Sequence, residues 1–195
     1  MFYDAVDNTH GLPLDPFYAL VGPRLIAWIS TLSKAGKANL APYSFYNAFS
    51  HNPSYVAFGS SGAKHTLSNI TETREFVVNL ATFDLREAMN LSSAATADDE
   101  FDLAGLAKAA CVKVKPPRVA QSPVALECVH YQTVALPDDA GQVGDYLVIG
   151  RVVGVHIDER FIVDGRVNTA AMKPIARLGY AEYATVEQVW KMRRP

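Results

Sequence analysis

Short apolar runs, cut by glycine, proline and small polar residues, make up most of this chain. Arg24–Ser30 is rich in β-branched and aromatic residues and follows Gly22-Pro23, so it reads as the first strand. Lys34-Ala35-Gly36-Lys37 reads as a tight hairpin turn with Gly36 at positive φ. Ala38–Ala41 begins the partner strand, and Pro42, lacking an N–H, is expected to weaken or bulge the ladder. A polar loop around Asn39–Phe45 then leads to a strand over Tyr55–Phe58. A helix is expected from Thr66, capped by its hydroxyl, to Thr73, followed by a strand over Glu75–Leu80.

Asp84-Leu85-Arg86-Glu87 has the spacing of a capping box before a short helix ending near Asn90. Leu91–Glu100 reads as a loop and Phe101–Ala109 as a helix, with Leu103 and Leu106 on its apolar side. Strands are expected over Ala110–Val114, Val124–Val134, Tyr146–Ile157 and Phe161–Asp164, with a Pro/Asp/Gly loop over Leu136–Gly144. Gly150 and Gly154 permit the coiling that closes a small barrel. A last helix is expected over Val186–Met192. Many short strands without alternating long helices exclude a doubly wound sheet and point to a closed or partly closed barrel.

The 195 residues fit a single domain, 1–195, and 49% hydrophobic content supports a real core. The formal net charge of -2 and the lack of a basic stripe argue against nucleic acid; the basic run Lys191-Met192-Arg193-Arg194 is too short to change that. Charged residues make up only 19%, which leaves room for an apolar subunit interface. Cys111 and Cys128 lie in apolar surroundings and read as small hydrophobes of a reducing compartment; they pair only if their strands meet. Neither a signal-peptide pattern nor a membrane-length apolar run is present, so the expected compartment is the cytoplasm, with no membrane partner.

The densest candidate chemistry is Gly59-Ser60-Ser61-Gly62-Ala63-Lys64-His65-Thr66. Backbone N–H groups at a helix start, hydroxyls and one lysine can hold a phosphate; the same run is equally an ordinary turn with solvated hydroxyls. It is neither a Walker A loop nor a Rossmann fingerprint. Ser30 and Thr31 end a strand, and beside that loop their hydroxyls would complete an anion site. Asn39, Ser44 and Asn47 can meet the edge of a planar ring or cap turns, and Phe45, Tyr46 and Phe49 can pack on a ring or on the core. The histidines form no metal pattern, and His156 reads as a satisfied structural residue, with a nicotinamide or substrate site as the alternative. No Gly-x-Ser-x-Gly elbow is present.

Five segments together carry a family resemblance: Pro23–Thr31, Asn39–Phe45, Phe58–Ser61, Lys64–Ile70 and Glu75–Leu80, with Arg177-Leu178-Gly179-Tyr180 and Tyr183 near the end. They resemble the flavin reductase-like family, whose fold is the FMN-binding split barrel, a mainly β, six-stranded antiparallel Greek-key barrel with short peripheral helices. The resemblance implies a homodimer with FMN in a groove between subunits. It implies that Ser30, Thr31, Lys64 and Thr66 lie near the phosphate, with Asn69 supporting the phosphate helix. Asn39, Ser44, Phe45 and Asn47 would follow the ring and ribityl chain, Ser60 and Ser61 would add contacts, and Arg177 would come over the site. Two positions depart from the family pattern: His65 stands where an acidic or other polar residue is common, and Tyr180 replaces the second glycine of an Arg-Leu-Gly-Gly segment.

The implied function is an FMN-dependent oxidoreductase taking hydride from NADH or NADPH, with no catalytic side chain, no metal, and a monooxygenase or other acceptor protein as partner. The alternative is a non-enzymatic FMN-binding electron carrier. Heme-handling and pyridoxine-phosphate oxidase-like split barrels fit the Pro23–Asn69 motifs less well.

Overall fold

A computed structural model describes residues 1–95 and 99–194. A short helix α1 (Phe17–Leu20) precedes β1 (Arg24–Leu25), β2 (Ala27–Leu32), β3 (Ala38–Tyr43), β4 (Tyr46–His51) and β5 (Ser54–Ser61). Then come α2 (His65–Thr73), β6 (Glu75–Leu80), α3 (Arg86–Leu91) and α4 (Glu100–Leu103). The small pair β7 (Lys108–Ala109) and β8 (Arg118–Val119) leads to the long hairpin β9 (Val124–Pro137) and β10 (Val143–Ile157). β11 (Ile162–Val163), β12 (Arg166–Val167), β13 (Ile175–Arg177) and β14 (Tyr183–Thr185) follow. Seven strands form one antiparallel sheet in the order β3-β2-β6-β9-β10-β5-β4. Neighbours distant in sequence, such as β2 with β6 and β5 with β10, give it Greek-key character. The architecture is the mainly β split barrel with short helices that the resemblance implies.

β2 explains how the layers are held. Ala27 and Ile29 face one core with Phe58, Phe76, Cys128 and Val148; Ile26 and Trp28 face a second with Leu40, Met89, Phe101 and Ile175. A strand buried on both faces reads as a continuous apolar run, which is why Arg24–Ser30 stood out in the sequence. Leu67 and Ile70 of α2 enter the first core, so the helix packs against the barrel by its apolar side.

Several local expectations need correction. Of the loop expected around Asn39–Phe45, only Ser44 and Phe45 lie between strands, because Asn39–Tyr43 pairs with β2 as part of β3 and Tyr46–His51 pairs with β5 as β4. The ladder runs unbroken through Trp28–Pro42, since β3 is an edge strand of this sheet, where proline is tolerated. Thr66 does not cap α2; Lys64 occupies the cap position without a side-chain bond. No side chain caps the helix after Asp84 either. The helix expected over Phe101–Ala109 ends at Leu103, before Gly105 at φ 65°. Of the loop expected over Leu91–Glu100, residues 96–98 lie outside the described residues. Ala110–Val114 is not a strand, because its amides bind a carboxylate instead of a neighbouring strand. Val186–Met192 is not helical. Both cysteines are free, and Cys128 is buried as a small hydrophobe. No helix among the described residues is long and apolar enough to cross a membrane.

The carboxylate that replaces that strand is Glu127 on β9. It accepts N–H bonds from Val112 (2.9 Å), Lys113 (2.5 Å) and Val114 (3.1 Å), and lies 2.5 Å from His156 Nε2. Gly154 opposite leaves room, since a Cβ there would sit 3.1 Å from the Glu127 carboxyl carbon. Burial works to raise the Glu127 carboxyl; the three amides and His156 outweigh it and hold the group below its ordinary value. His156 is thus engaged structurally, as its leading sequence reading had it. Burial also pushes the neighbouring Cys111 thiol up to about 11.

Two stability predictions follow from this packing. A Cβ at Gly150 would collide with the Phe76 ring. Gly150→Ala is therefore expected to lower stability by about 1–3 kcal/mol, and adding Phe76→Leu to recover part of it; urea denaturation measures both. Glu127 has a depressed folded pKa, so its contribution is present above its unfolded value, about 4.3, and is lost as pH falls through the folded one. Glu127→Gln is expected to cost about 2–3 kcal/mol at pH 7 and to flatten the pH dependence of stability on the acid side of that value. Denaturation midpoints at stepped pH check the slope.

Candidate functional site

The loop after β5 delivers the candidate residues to the start of α2. Lys64 is exposed at the cap position, and no side chain caps the helix, so the first-turn N–H groups face outward beside it. Thr66, the second residue of α2, is buried; Asn39 on β3 donates to its hydroxyl at 2.9 Å. The Tyr43 phenol faces the hydroxyls of both Thr66 and Ser60. Burial holds that phenol above its ordinary value, against the opposing hydrogen bonds from the two hydroxyls. Asn39, Pro42, Tyr43, Lys64 and Thr66 line one open cleft of ≈ 770 Å³. Glu100 also lines it, with one carboxylate oxygen taken by the Leu40 N–H at 3.0 Å.

Ser60 and Ser61 border a second cleft of ≈ 550 Å³ on the far side of the β5 end. Phe45 forms its wall, 42% exposed and stacked on Tyr18 with centroids 5.3 Å apart. The Gly59 N–H donates to the Phe45 carbonyl at 2.7 Å, and a Cβ on Gly59 would press on the Phe45 side chain at 3.1 Å. Glycine at this point lets the β3–β4 bend close onto β5. Arg24 holds the wall from below. Its guanidinium donates to the carbonyls of Tyr18, Val21 and Leu178 and lies 5.7 Å from the Phe45 ring centroid.

Lys64, Thr66 and Asn39 therefore converge on one cleft, and Phe45, Ser60 and Ser61 on the adjoining one. Ser44 sits half-buried in the bend between β3 and β4. Asn47 is exposed on β4 and accepts from the Ala48 N–H. Ser30 and Thr31 are fully buried: the Ser30 hydroxyl donates to the Pro117 carbonyl at 2.6 Å, and the Thr31 hydroxyl accepts from Asn69 at 3.0 Å. Thr31 is thereby tied to α2, and Ser30 to the Pro117 segment. Arg177 lines neither cleft; it donates to the Tyr183 hydroxyl at 2.6 Å and to the Tyr180 carbonyl. Tyr180 has φ 56°, the left-handed conformation that a glycine at this place would adopt without cost. Tyr18 and Glu100 have nothing in their local pattern that links them to the loop, whereas Arg24 and Tyr43 lie inside the resembling segments without a role assigned from sequence.

The likenesses of the chain agree with this arrangement. A family model described as "Flavin reductase like domain" matches residues 22–169. An uncharacterized protein of Halalkalibacterium halodurans, BH2278, is 32% identical over 180 residues, 89% of this chain and 86% of that protein. The crystal structure of nitrilotriacetate monooxygenase component B from Bacillus cereus is 27% identical, covers 98% of each chain and superposes with a TM-score of 0.88. The Pseudomonas fluorescens 2-nitrobenzoate 2-nitroreductase NbaA is also 27% identical, over 96% of this chain and 94% of its own, with a TM-score of 0.82. With the barrel, the β5–α2 loop and a match over most of its length, this chain belongs to the flavin reductase-like family.

Proposed function

We propose that this chain is an FMN-dependent oxidoreductase that draws its electrons from a reduced nicotinamide and works as one domain in a homodimer. The observation that carries the reading is the uncapped start of α2 with Lys64 at its head and Thr66 oriented by Asn39. A phosphate dianion needs a cation, open N–H donors and hydroxyls in one place, and this cleft supplies all three. Glu100 also lines this cleft and accepts the Leu40 amide, so Lys64 and the α2 amides are the groups that must outweigh it at the anionic end. Pro42, Tyr43 and Phe45 lead from that end toward Ser60 and Ser61, a path suited to a planar ring on a short polar chain.

Bound FMN supplies the two-electron chemistry of its ring. The chain's own residues bind and orient: Lys64 and the α2 amides hold the anionic end, and Asn39 fixes the Thr66 hydroxyl. Ser44 and Asn47 lie along the ribityl side, while Phe45, braced by Tyr18 and Arg24, sets the ring plane. Thr31 and Asn69 act from beneath by holding α2 against β2, and Ser30 ties β2 to the Pro117 segment. Direct hydride transfer asks for no side-chain acid or base. Phe45 at the cleft and Phe49 further along β4 remain exposed, which supports a second subunit as the missing wall; Arg177 is held by Tyr180 and Tyr183 away from both clefts of its own subunit, so it would come over a site only from the partner. A reduced nicotinamide, and then a monooxygenase or other acceptor, would approach that open rim.

Lys64→Ala is expected to weaken FMN at least about tenfold, the equivalent of a charge-assisted hydrogen bond, and to leave riboflavin affinity nearly unchanged. Fluorescence titration of both flavins reads the difference; equal losses place Lys64 elsewhere. Asn39→Ala is expected to weaken FMN by roughly threefold to tenfold through the released Thr66 hydroxyl, an effect that should largely vanish in a Thr66→Ala background. Stopped-flow mixing of the FMN-loaded protein with NADH and NADPH tests the reaction. Reduction no faster than that of free FMN defeats the oxidoreductase reading and leaves an FMN-binding electron carrier.

A further inference from the structure

The segment Val186–Met192, where the sequence predicts a helix, is not helical. It leaves the body as an arm without regular secondary structure; among the described residues, its last backbone hydrogen bond to the body runs from the Val186 N–H to the Pro174 carbonyl. Beyond that point Val189, Trp190 and Met192 stand in solvent, with Trp190 75% exposed. Lys191, Arg193 and Arg194 outnumber Glu187, so the arm is basic as well as apolar. Such a segment has no reason to stay ordered by itself, and three large apolar side chains on one short arm mark a contact surface.

The same chain carries a surface of matching chemistry. The outer rim of the second cleft is formed by Leu136, Pro137 and Asp138 on one side and Asp145 on the other, with Tyr18 and Phe45 as an aromatic wall. Asp138 uses one oxygen to accept the Ala140 and Gln142 amides of its own turn, while keeping its charge. No lysine, arginine or histidine lines this cleft; the Arg24 guanidinium beneath the wall is turned to three carbonyls. An acidic, aromatic cleft and a basic arm bearing a tryptophan are complementary in charge and in shape class. In the single chain the arm does not fill its own cleft, because Trp190 is exposed.

We infer that the arm of one copy docks in the acidic aromatic cleft of a second copy, with Trp190 against the rim and Lys191, Arg193 and Arg194 facing Asp138 and Asp145. The exchange is reciprocal, as a two-fold dimer requires, so each cleft beside the β5–α2 loop gains a wall from the other subunit. This rests on the dimer proposed above and not on the cofactor.

A charge exchange tests it. One variant reverses the arm (Lys191→Glu, Arg193→Glu, Arg194→Glu). A second alters the cleft (Asp138→Asn, which keeps the turn acceptor, with Asp145→Lys). Sedimentation velocity without flavin is expected to show self-association weakened at least about tenfold in each variant alone, and recovered in an equimolar mixture, where both arms again meet clefts of opposite sign. Recovery in the mixture also proves both variants folded, and native far-ultraviolet circular dichroism proves it where recovery fails. Unchanged self-association of the folded variants overturns the arm and leaves the dimer standing. A folded mixture no better than either variant overturns it too. So does Trp190 emission, taken as the difference from Trp190→Phe, that is already shielded at concentrations where the chain sediments as a monomer. Flavin titration of the same samples reads the cofactor separately.

Discussion

β2 lies between two cores, and that double burial constrains everything near it. Trp28, Ile29 and their neighbours are removed from water on both faces. Each such side chain contributes about 1.5–3 kcal/mol, and a single unsatisfied polar group in the same place would cost about 1–3 kcal/mol, cancelling one of them. The polar end of the strand therefore has to be fully bonded. Asn79 donates to the Trp28 carbonyl and to Ser30 and accepts from Val119; Asn69 donates to Thr31; Trp28 donates to Ser92. These bonds tie β2 to β6, β8 and α2 together.

The candidate site inherits its geometry from that seam. Thr31 is bonded to Asn69 in the middle of α2, so the start of the helix is held at a definite height over β3, where Asn39 meets Thr66. Open donors at the helix start are useful only because the rest of the helix is anchored this way; a loosely held helix would lose the arrangement each time it shifted. The aromatic side of the site is held differently, by backbone. Arg24 gathers three carbonyls from α1, its following turn and the Leu178 segment, and so places Tyr18 against Phe45 without contributing a side chain to the cleft itself.

The two clefts differ in electrostatic character. One is headed by Lys64 and the amides of α2; the other is rimmed by Asp138 and Asp145. A ligand with an anionic end and a neutral planar end has only one favourable direction across the β5 end. The same asymmetry makes the second rim a place for a cationic partner segment.

Much of this architecture was legible in the residues themselves. The apolar run of β2, the Lys34–Lys37 turn with Gly36 at φ 82°, the Glu75–Leu80 strand and the helix after Lys64 all declared themselves through local periodicity and backbone preference. The β5–α2 loop was recognisable because hydroxyls, glycines and a lysine before a helix form a local pattern. What a polar group bonds to is a non-local matter. Ser30 and Thr31 allowed two local readings, a strand terminus or an anion contact, and their buried hydroxyls are bonded to Pro117 and Asn69, partners from distant stretches of chain. Ala110–Val114 had a strand's composition, but the buried Glu127 took its amides first. Val186–Met192 had a helix's composition and is not helical; Val189, Trp190 and Met192 find no cover on their own subunit to stabilise one. The sequence alone determined which segments could be strands, turns and the phosphate-type loop, since those depend on neighbours a few residues away. The tertiary structure decided which hydroxyls face a cleft, which carboxylate claims a loop and which apolar segment is left without a partner, since those depend on which distant groups reach each donor, acceptor and surface first.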